Sequence, residues 1–143
     1  MKLKHYIYGT IILIIDQISK LLVINKNKTI IPNLLRFTYT ENTGGAFGLG
    51  TKYVILALSI IIIFSIIIFL IRQKNKITNF TPYILILSGS IGNLIDRVFR
   101  GHVIDFIDVN IFNFPNFNIA DISIVFGIIY LIFLIIIKKW WQN

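Results

Sequence analysis

The chain reads as an α-helical membrane protein with four transmembrane helices, a small extracytoplasmic β-structured loop and a second outer loop. Three observations carry that expectation. Of 143 residues, 56% are hydrophobic and 14% are charged, whereas soluble domains carry about a quarter charged residues. Four mostly apolar segments, near 6–25, 53–71, 82–99 and 119–137, approach the roughly 20 residues that a helix needs to cross about 30 Å of hydrocarbon. Between the first two segments, the apolar residues alternate with the period of a strand.

The first span opens with "MKLKHYIYGTIILII", basic and then apolar like a secretory leader. No small-x-small cleavage site follows, and Asp16 and Lys20 stand where one would be, so the segment is expected to be retained. Asp16 and Lys20 are four residues apart on one helix face. A charge placed mid-membrane costs roughly 2.5 to 3.5 kcal/mol, so such residues turn inward and pair. Helical side-chain direction leans Lys20 back toward Asp16. The pair is either a self-contained structural bridge or a brace for a polar site.

After this span, "LLRFTYTENTGGAFGLG" alternates Leu35, Phe37 and Tyr39 with Arg36, Thr38 and Thr40, a period of two. Residues Asn42 to Gly45 then supply turn chemistry. A small β-structure at the membrane surface follows from this pattern, and it could cover a site. The second span is uncharged, and a short basic loop follows it.

The third span starts with Thr81 as the expected cap and Pro82 at the first helical position, where its missing N–H costs nothing. Ser88, Gly89, Ser90 and Gly92 are small enough for close helix approach. At its far end Asn93, Asp96 and Arg97 fall near one helix face. In the outer segment "GHVIDFIDVNIFNFPNFNIAD", Asp105 and Asp108 are three apart, and Pro115 interrupts any helix before Asp121. Asp108, taken as one turn beyond Asp105, is expected to be a solvated or capping acid.

Asp121 resembles an N-cap. Span length argues for more than that. Counted from Ile122 to Ile137 the span would reach only about 24 Å, whereas starting at Ile119 gives about 28 Å. Asp121 then lies just inside the outer edge of the span, with Asn118 or a neighbour as the cap.

Charge and composition narrow the function. Lys2, Lys4, Arg72, Lys74, Lys76, Lys138 and Lys139 gather at the two termini and the second loop, which the positive-inside tendency assigns to the cytoplasm. The six acids, Asp16, Glu41, Asp96, Asp105, Asp108 and Asp121, then belong to the first span, the outer loops and the outer span ends. The formal charge of +8 is therefore explained by membrane topology, without nucleic acid. The absence of cysteine excludes disulfides, thiolate metal sites and a cysteine nucleophile. His102, Asp105 and Asp108 lack a recognised metal-ligand spacing, so no metal is expected. With no linker, repeat or low-complexity tail, residues 1–143 are expected to form one domain.

Two carboxyl groups brought together in a poorly hydrated site tend to share one proton. One can then act as base and the other as acid in peptide hydrolysis, with no covalent intermediate. A small proton-coupled transporter is the competing expectation, because intramembrane Asp and Lys residues often mark ion paths. A non-enzymatic assembly factor is a third, although it would leave the clustered Asn, Arg and Asp residues without a purpose.

The motifs "DQISK" (16–20), "ENTGGAFG" (41–48), "GNLIDR" (92–97), "GHVIDF" (101–106) and "FNIAD" (117–121) resemble, in order, those of lipoprotein signal peptidase, the type II signal peptidase of bacteria. The resemblance covers nearly the whole chain. It implies an aspartic peptidase of the inner membrane that cuts diacylglyceryl-modified prolipoproteins just before the lipid-bearing cysteine. It matches Asp105 and Asp121 to the catalytic pair, and Asp16, Lys20, Asn42, Asn93, Arg97 and Asn118 to its polar surround. It implies no cofactor, and one copy of the chain could hold the complete site. "SGS" before "IGN", and Gly45, depart from the family's commoner small residues but keep their size. A lipidated substrate would enter laterally between apolar helices, with Phe47 and its glycine-rich flanks as a mobile edge of the pocket.

Overall fold

A computed structural model describes residues 3–44, 52–73, 77–110 and 114–140. Helix α1 (Leu3–Val23) leads into strands β1 (Asn27–Ile31) and β2 (Leu35–Asn42). Helices α2 (Lys52–Gln73) and α3 (Thr81–Phe99), strand β3 (Val103–Val109) and helix α4 (Ile119–Trp140) follow. The expected pocket edge at Phe47, and the glycines of 45–50, lie outside the described residues. Among the described residues, α1, α2 and α4 are long and apolar enough to cross a membrane. Helix α3 is not one of these three, because Ser88, Ser90, Asn93, Asp96 and Arg97 interrupt its apolar run.

Helix α3 is nevertheless the centre of the bundle, and α1, α2 and α4 all pack on it. Polar residues on a central helix face protein, while the outer helices carry exposed apolar side chains such as Ile14, Ile61 and Ile129. That distribution inverts a soluble fold and suits a lipid surround.

Small residues set the helix spacing. A Cβ on Gly89 would collide with the Ala120 backbone carbonyl of α4, and one on Gly92 would sit 2.7 Å from an Asp16 carboxylate oxygen of α1. A Cβ on Gly127 would meet the Pro82 carbonyl at 2.8 Å. With a Cβ on Gly9 of α1 meeting Ile84 and Ser88 of α3, these contacts run α3 antiparallel to α4 and parallel to α1. Gly89→Ala should therefore push α4 away from α3 and lower stability by about 1 to 3 kcal/mol. Thermal unfolding in detergent checks this, with Ser90→Ala as the control, and an unchanged midpoint for Gly89→Ala would contradict it.

The strand period of residues 35–42 is realised in β2, the middle of a three-stranded antiparallel sheet ordered β1-β2-β3. The hairpin between β1 and β2 turns at Asn33, whose φ of 60° suits asparagine's tolerance of the left-handed region. At the end of α3, the N–H groups of Arg100 and Gly101 both donate to the Asp96 carbonyl. Gly101 has a φ of 81°, the left-handed C-terminal turn that glycine makes without steric cost. It reverses the chain into β3.

Two expectations are corrected. Residues 103–109 form a strand, so Asp105 and Asp108 point to opposite faces instead of lying one helical turn apart. Asp108 sits opposite Arg36 in the β2–β3 register and pairs with its guanidinium at 2.8 Å; it is a cross-strand ion-pair partner and not a capping acid. At the start of α3 the cap position belongs to Phe80, not Thr81. The Thr81 N–H instead donates to the Asn79 side-chain oxygen at 3.0 Å.

Candidate active site

The site forms where the C-terminal ends of α1 and α3, the N-terminus of α4 and the sheet meet. Helix α4 starts at Ile119, the boundary that span length favoured. Asn118 caps it: the Asp121 N–H donates to Asn118 Oδ1 at 2.9 Å, and the Asn118 N–H donates to Asp121 Oδ2 at 3.1 Å. This reciprocal pair is a capping box with an aspartate in the third helical position. Asp121 is thereby held by its helix while its other oxygen remains available.

That oxygen, Oδ1, accepts from Asn93 Nδ2 on α3 at 2.7 Å. Asp105 projects from β3 and is also held twice. Its Oδ2 accepts from Asn42 Nδ2 on β2 at 2.9 Å, and its Oδ1 accepts from Asn118 Nδ2 at 2.7 Å. Asn118 is fully buried and connects the two carboxyl groups, Asp105 through its side-chain amide and Asp121 through its backbone. Both line a cleft of about 240 Å³ with Asn42, Asn93, Arg97 and Phe114 among its walls. Arg97 donates to the Asn93 carbonyl at 3.3 Å from that wall.

Burial pushes the Asp105 carboxyl up to about 6 from an ordinary 3.8. The Asn42 and Asn118 amides and the charge of Lys20 pull it down, while the neighbouring Asp121 carboxylate raises it. Neutralising that neighbour should therefore lower the Asp105 midpoint, and removing a donor to its charged form should raise it. Infrared titration of the carboxyl band lost in Asp105→Asn should show a midpoint near 6 that falls in Asp121→Asn and rises in Asn42→Ala. A midpoint near the ordinary carboxylate value of about 4 in the unsubstituted protein would contradict this account.

Beneath the two carboxyl groups lies a second polar layer. Lys20 is fully buried and lies 2.9 Å from both Asp16 and Asp96. It also donates to Asn93 Oδ1 at 2.9 Å. That bond fixes which end of the Asn93 amide faces Lys20, leaving its nitrogen to reach Asp121. Asp16 Oδ1 accepts from the Ala120 N–H at 2.9 Å, and Asp96 Oδ2 accepts from the Ile104 N–H at 3.2 Å. The layer thus ties the first turn of α4 and the start of β3 to α1 and α3. Arg100 pairs with Asp96 from the rim and donates to Gln17 Oε1, so two cations balance two acids. No buried side-chain nitrogen or oxygen among the described residues lacks a partner.

Every expected site residue belongs to this assembly: Asp105, Asp121, Asn42, Asn93, Arg97 and Asn118 at the cleft or cap, and Asp16 with Lys20 below. Gln17, Asp96 and Arg100 were not singled out for the site. "DQISK" already contained Gln17, and the four-residue spacing of Asp96 and Arg100 offered an intrahelical pair. His102, Asp105 and Asp108 do not converge: His102 Nδ1 lies 3.7 Å from Glu41, and Asp108 faces Arg36. Among the described residues, no group of three or more His, Cys, Asp or Glu side chains could hold a metal ion.

An apolar helix bundle that keeps two donor-held carboxyl groups in a cleft at one end has the organisation of a membrane-embedded enzyme. Residues 9–137 match the family described as signal peptidase (SPase) II, and the chain belongs to that family. It is an integral bacterial membrane protein and a peptidase. It is 36% identical to the lipoprotein signal peptidase of Chlorobium phaeobacteroides, covering 83% of this chain and 82% of that one. It is 35% identical to the lipoprotein signal peptidase of Halothermothrix orenii, covering 96% of each. Two solved chains are similar in fold, both described as bacterial membrane enzyme structures obtained by the in meso method. The one at 2.3 Å resolution gives a TM-score of 0.83 at 31% identity, covering 95% of this chain and 89% of the other. The one at 1.9 Å gives 0.80 at 33% identity, covering 92% of each.

Proposed function

We propose that the chain is an aspartic endopeptidase that removes the signal peptide from diacylglyceryl-modified prolipoproteins, cutting N-terminal to the lipid-bearing cysteine, with Asp105 and Asp121 as its catalytic pair. The observation that carries this reading is the Asn118 bridge, which holds both carboxyl groups on the wall of one cleft. Each carboxyl group accepts two hydrogen bonds from the protein, so its orientation is set before substrate arrives.

In the proposed reaction the pair carries one proton. The ionised carboxylate takes a proton from water as the water oxygen attacks the scissile carbonyl carbon. The protonated partner donates to the carbonyl oxygen, which becomes a hydroxyl of the tetrahedral intermediate. Collapse re-forms the carbonyl, breaks the C–N bond and delivers a proton to the leaving amine. Asn42, Asn93, Asn118 and Arg97 orient the carboxyl groups and the substrate backbone, and Asp16 with Lys20 braces them from below.

All four helices span the bilayer in this reading, with both termini cytoplasmic and the sheet and cleft at the outer face. The parallel course of α1 and α3, antiparallel to α4, supports it, since successive spans must alternate. The chain acts as one domain, and a monomer supplies every residue of the site. The transporter alternative is disfavoured because Asp16 and Lys20 close with Asp96 into a satisfied cluster under the cleft, instead of marking a path through the bundle.

The test is cleavage of a prolipoprotein peptide with and without the diacylglyceryl group, followed by mass spectrometry of the products. A single cut that leaves the lipid-bearing cysteine as the new N-terminus, and no cut without lipid, is expected. Cleavage at another bond, or equal cleavage of both peptides, would overturn the substrate assignment.

A further inference from the structure

A second cavity lies at the opposite end of the bundle from Asp105 and Asp121. It has a volume of about 660 Å³ and opens between α2, the start of α3 and the C-terminal half of α4. Its walls are apolar, with Phe69 on α2 and Leu131 and Leu134 on α4, while Gln73, Thr78 and Lys138 stand around its polar end. That volume lies within the range of small-molecule and lipid sites.

The charge around this end has one sign. No Asp or Glu occurs between Glu41 and Asp96, or after Asp121, whereas Lys138 lines the groove and Arg72 stands beside Gln73 in the last turn of α2. A groove with apolar walls, Lys138 at its polar end and no acid in its lining fits a ligand that is an anion at one end and hydrocarbon at the other. Basic pockets between transmembrane helices take anionic lipid headgroups for this reason. We infer that the groove is a binding site for an anionic phospholipid, with the phosphate at Lys138 and Gln73 and an acyl chain running past Leu134 and Phe69.

The site is separate from the peptidase cleft, so it is tested without any measurement of cleavage. The full chain is purified in neutral detergent and its retained lipid measured by native mass spectrometry after adding dioleoyl phosphatidylglycerol or dioleoyl phosphatidylcholine. Phosphatidylglycerol should be retained in preference. Lys138→Gln should weaken its retention about fivefold, Lys138→Arg should preserve it, and Leu134→Trp should remove it by filling the groove. Equal retention of the two lipids, or unchanged phosphatidylglycerol retention in both Lys138→Gln and Leu134→Trp, would overturn the assignment. Displacement of the lipid by soluble glycerol phosphate at equal concentration would also overturn it, because the acyl chain would then contribute nothing. So would its displacement by a synthetic signal peptide that crosslinks at position 134.

Discussion

Asp105→Asn and Asp121→Asn should each lower cleavage of a lipidated prolipoprotein by about 10⁴-fold or more while leaving the fold intact. An amide can still accept hydrogen bonds through its oxygen, and its size matches the carboxyl group it replaces. It cannot take a proton from water, and it cannot pass one to a leaving amine. In Asp105→Asn the buried charge penalty at β3 disappears while one of the two amide donors, Asn42 or Asn118, loses its acceptor, so the effects offset and thermal stability should change little. In Asp121→Asn the capping box keeps its backbone donor from Asn118, and an oriented side-chain amide can still accept it. Activity and stability should therefore separate. Single-turnover cleavage with enzyme in excess and thermal unfolding, measured on the same preparations, check this. Wild-type activity in either variant would remove that residue from the chemistry.

Lys20→Met should be damaging for a different reason. Methionine fits the space of the lysine stem, but it leaves Asp16 and Asp96 buried without the cation they share. Removing one partner of a buried ion pair costs about 3 to 5 kcal/mol. It also removes the shorter of the two hydrogen bonds to the Asn93 oxygen, leaving that from Asn118 Nδ2 at 3.2 Å, so the donor to Asp121 is held less firmly. Both unfolding temperature and cleavage rate should fall. Adding Asp16→Asn to Lys20→Met should recover part of the stability, since Asp96 keeps Arg100 while Asp16 has no other cation among the described residues, and should recover little of the activity, since Asn93 still lacks the Lys20 bond. A Lys20→Met protein with the stability and rate of the original would show that the lysine is dispensable beneath the site.

Much of the fold was legible because membrane spans are long, apolar signals that need only local residues. The start of α4 at Ile119 could be inferred from hydrocarbon thickness, and that boundary placed Asp121 inside the helix with Asn118 before it. β2 was legible from its alternation. β1 and β3 were not. β1 is a short exposed strand, and in β3 the three-residue spacing of Asp105 and Asp108 imitates a helix period. Only pairing with β2, more than sixty residues earlier in the chain, makes β3 a strand, and such long-range pairing leaves no local mark.

The polar site was legible in its membership more than in its connections. Asn93, Asp96 and Arg97 were expected on one face, yet they divide their work. Asn93 bridges Lys20 and Asp121, Asp96 turns toward α1, and Arg97 lines the cleft. A three- or four-residue offset specifies a face to within a broad arc, and the neighbouring helix decides which contact each residue makes. Gln17 shows the same limit. It adjoins Asp16 in the chain, but its amide reaches Asp96 and the Gly92 carbonyl on another helix, which no spacing within α1 could indicate.

The central claim is that Asp105 and Asp121 act as one proton-sharing unit, and the double variant Asp105→Asn/Asp121→Asn tests it most directly. Groups that serve a single step lose little more when both are removed than when one is. Its single-turnover cleavage rate should match that of the slower single variant. A rate lower by the product of the two single losses, or a single variant that cleaves like the original protein, would contradict the claim.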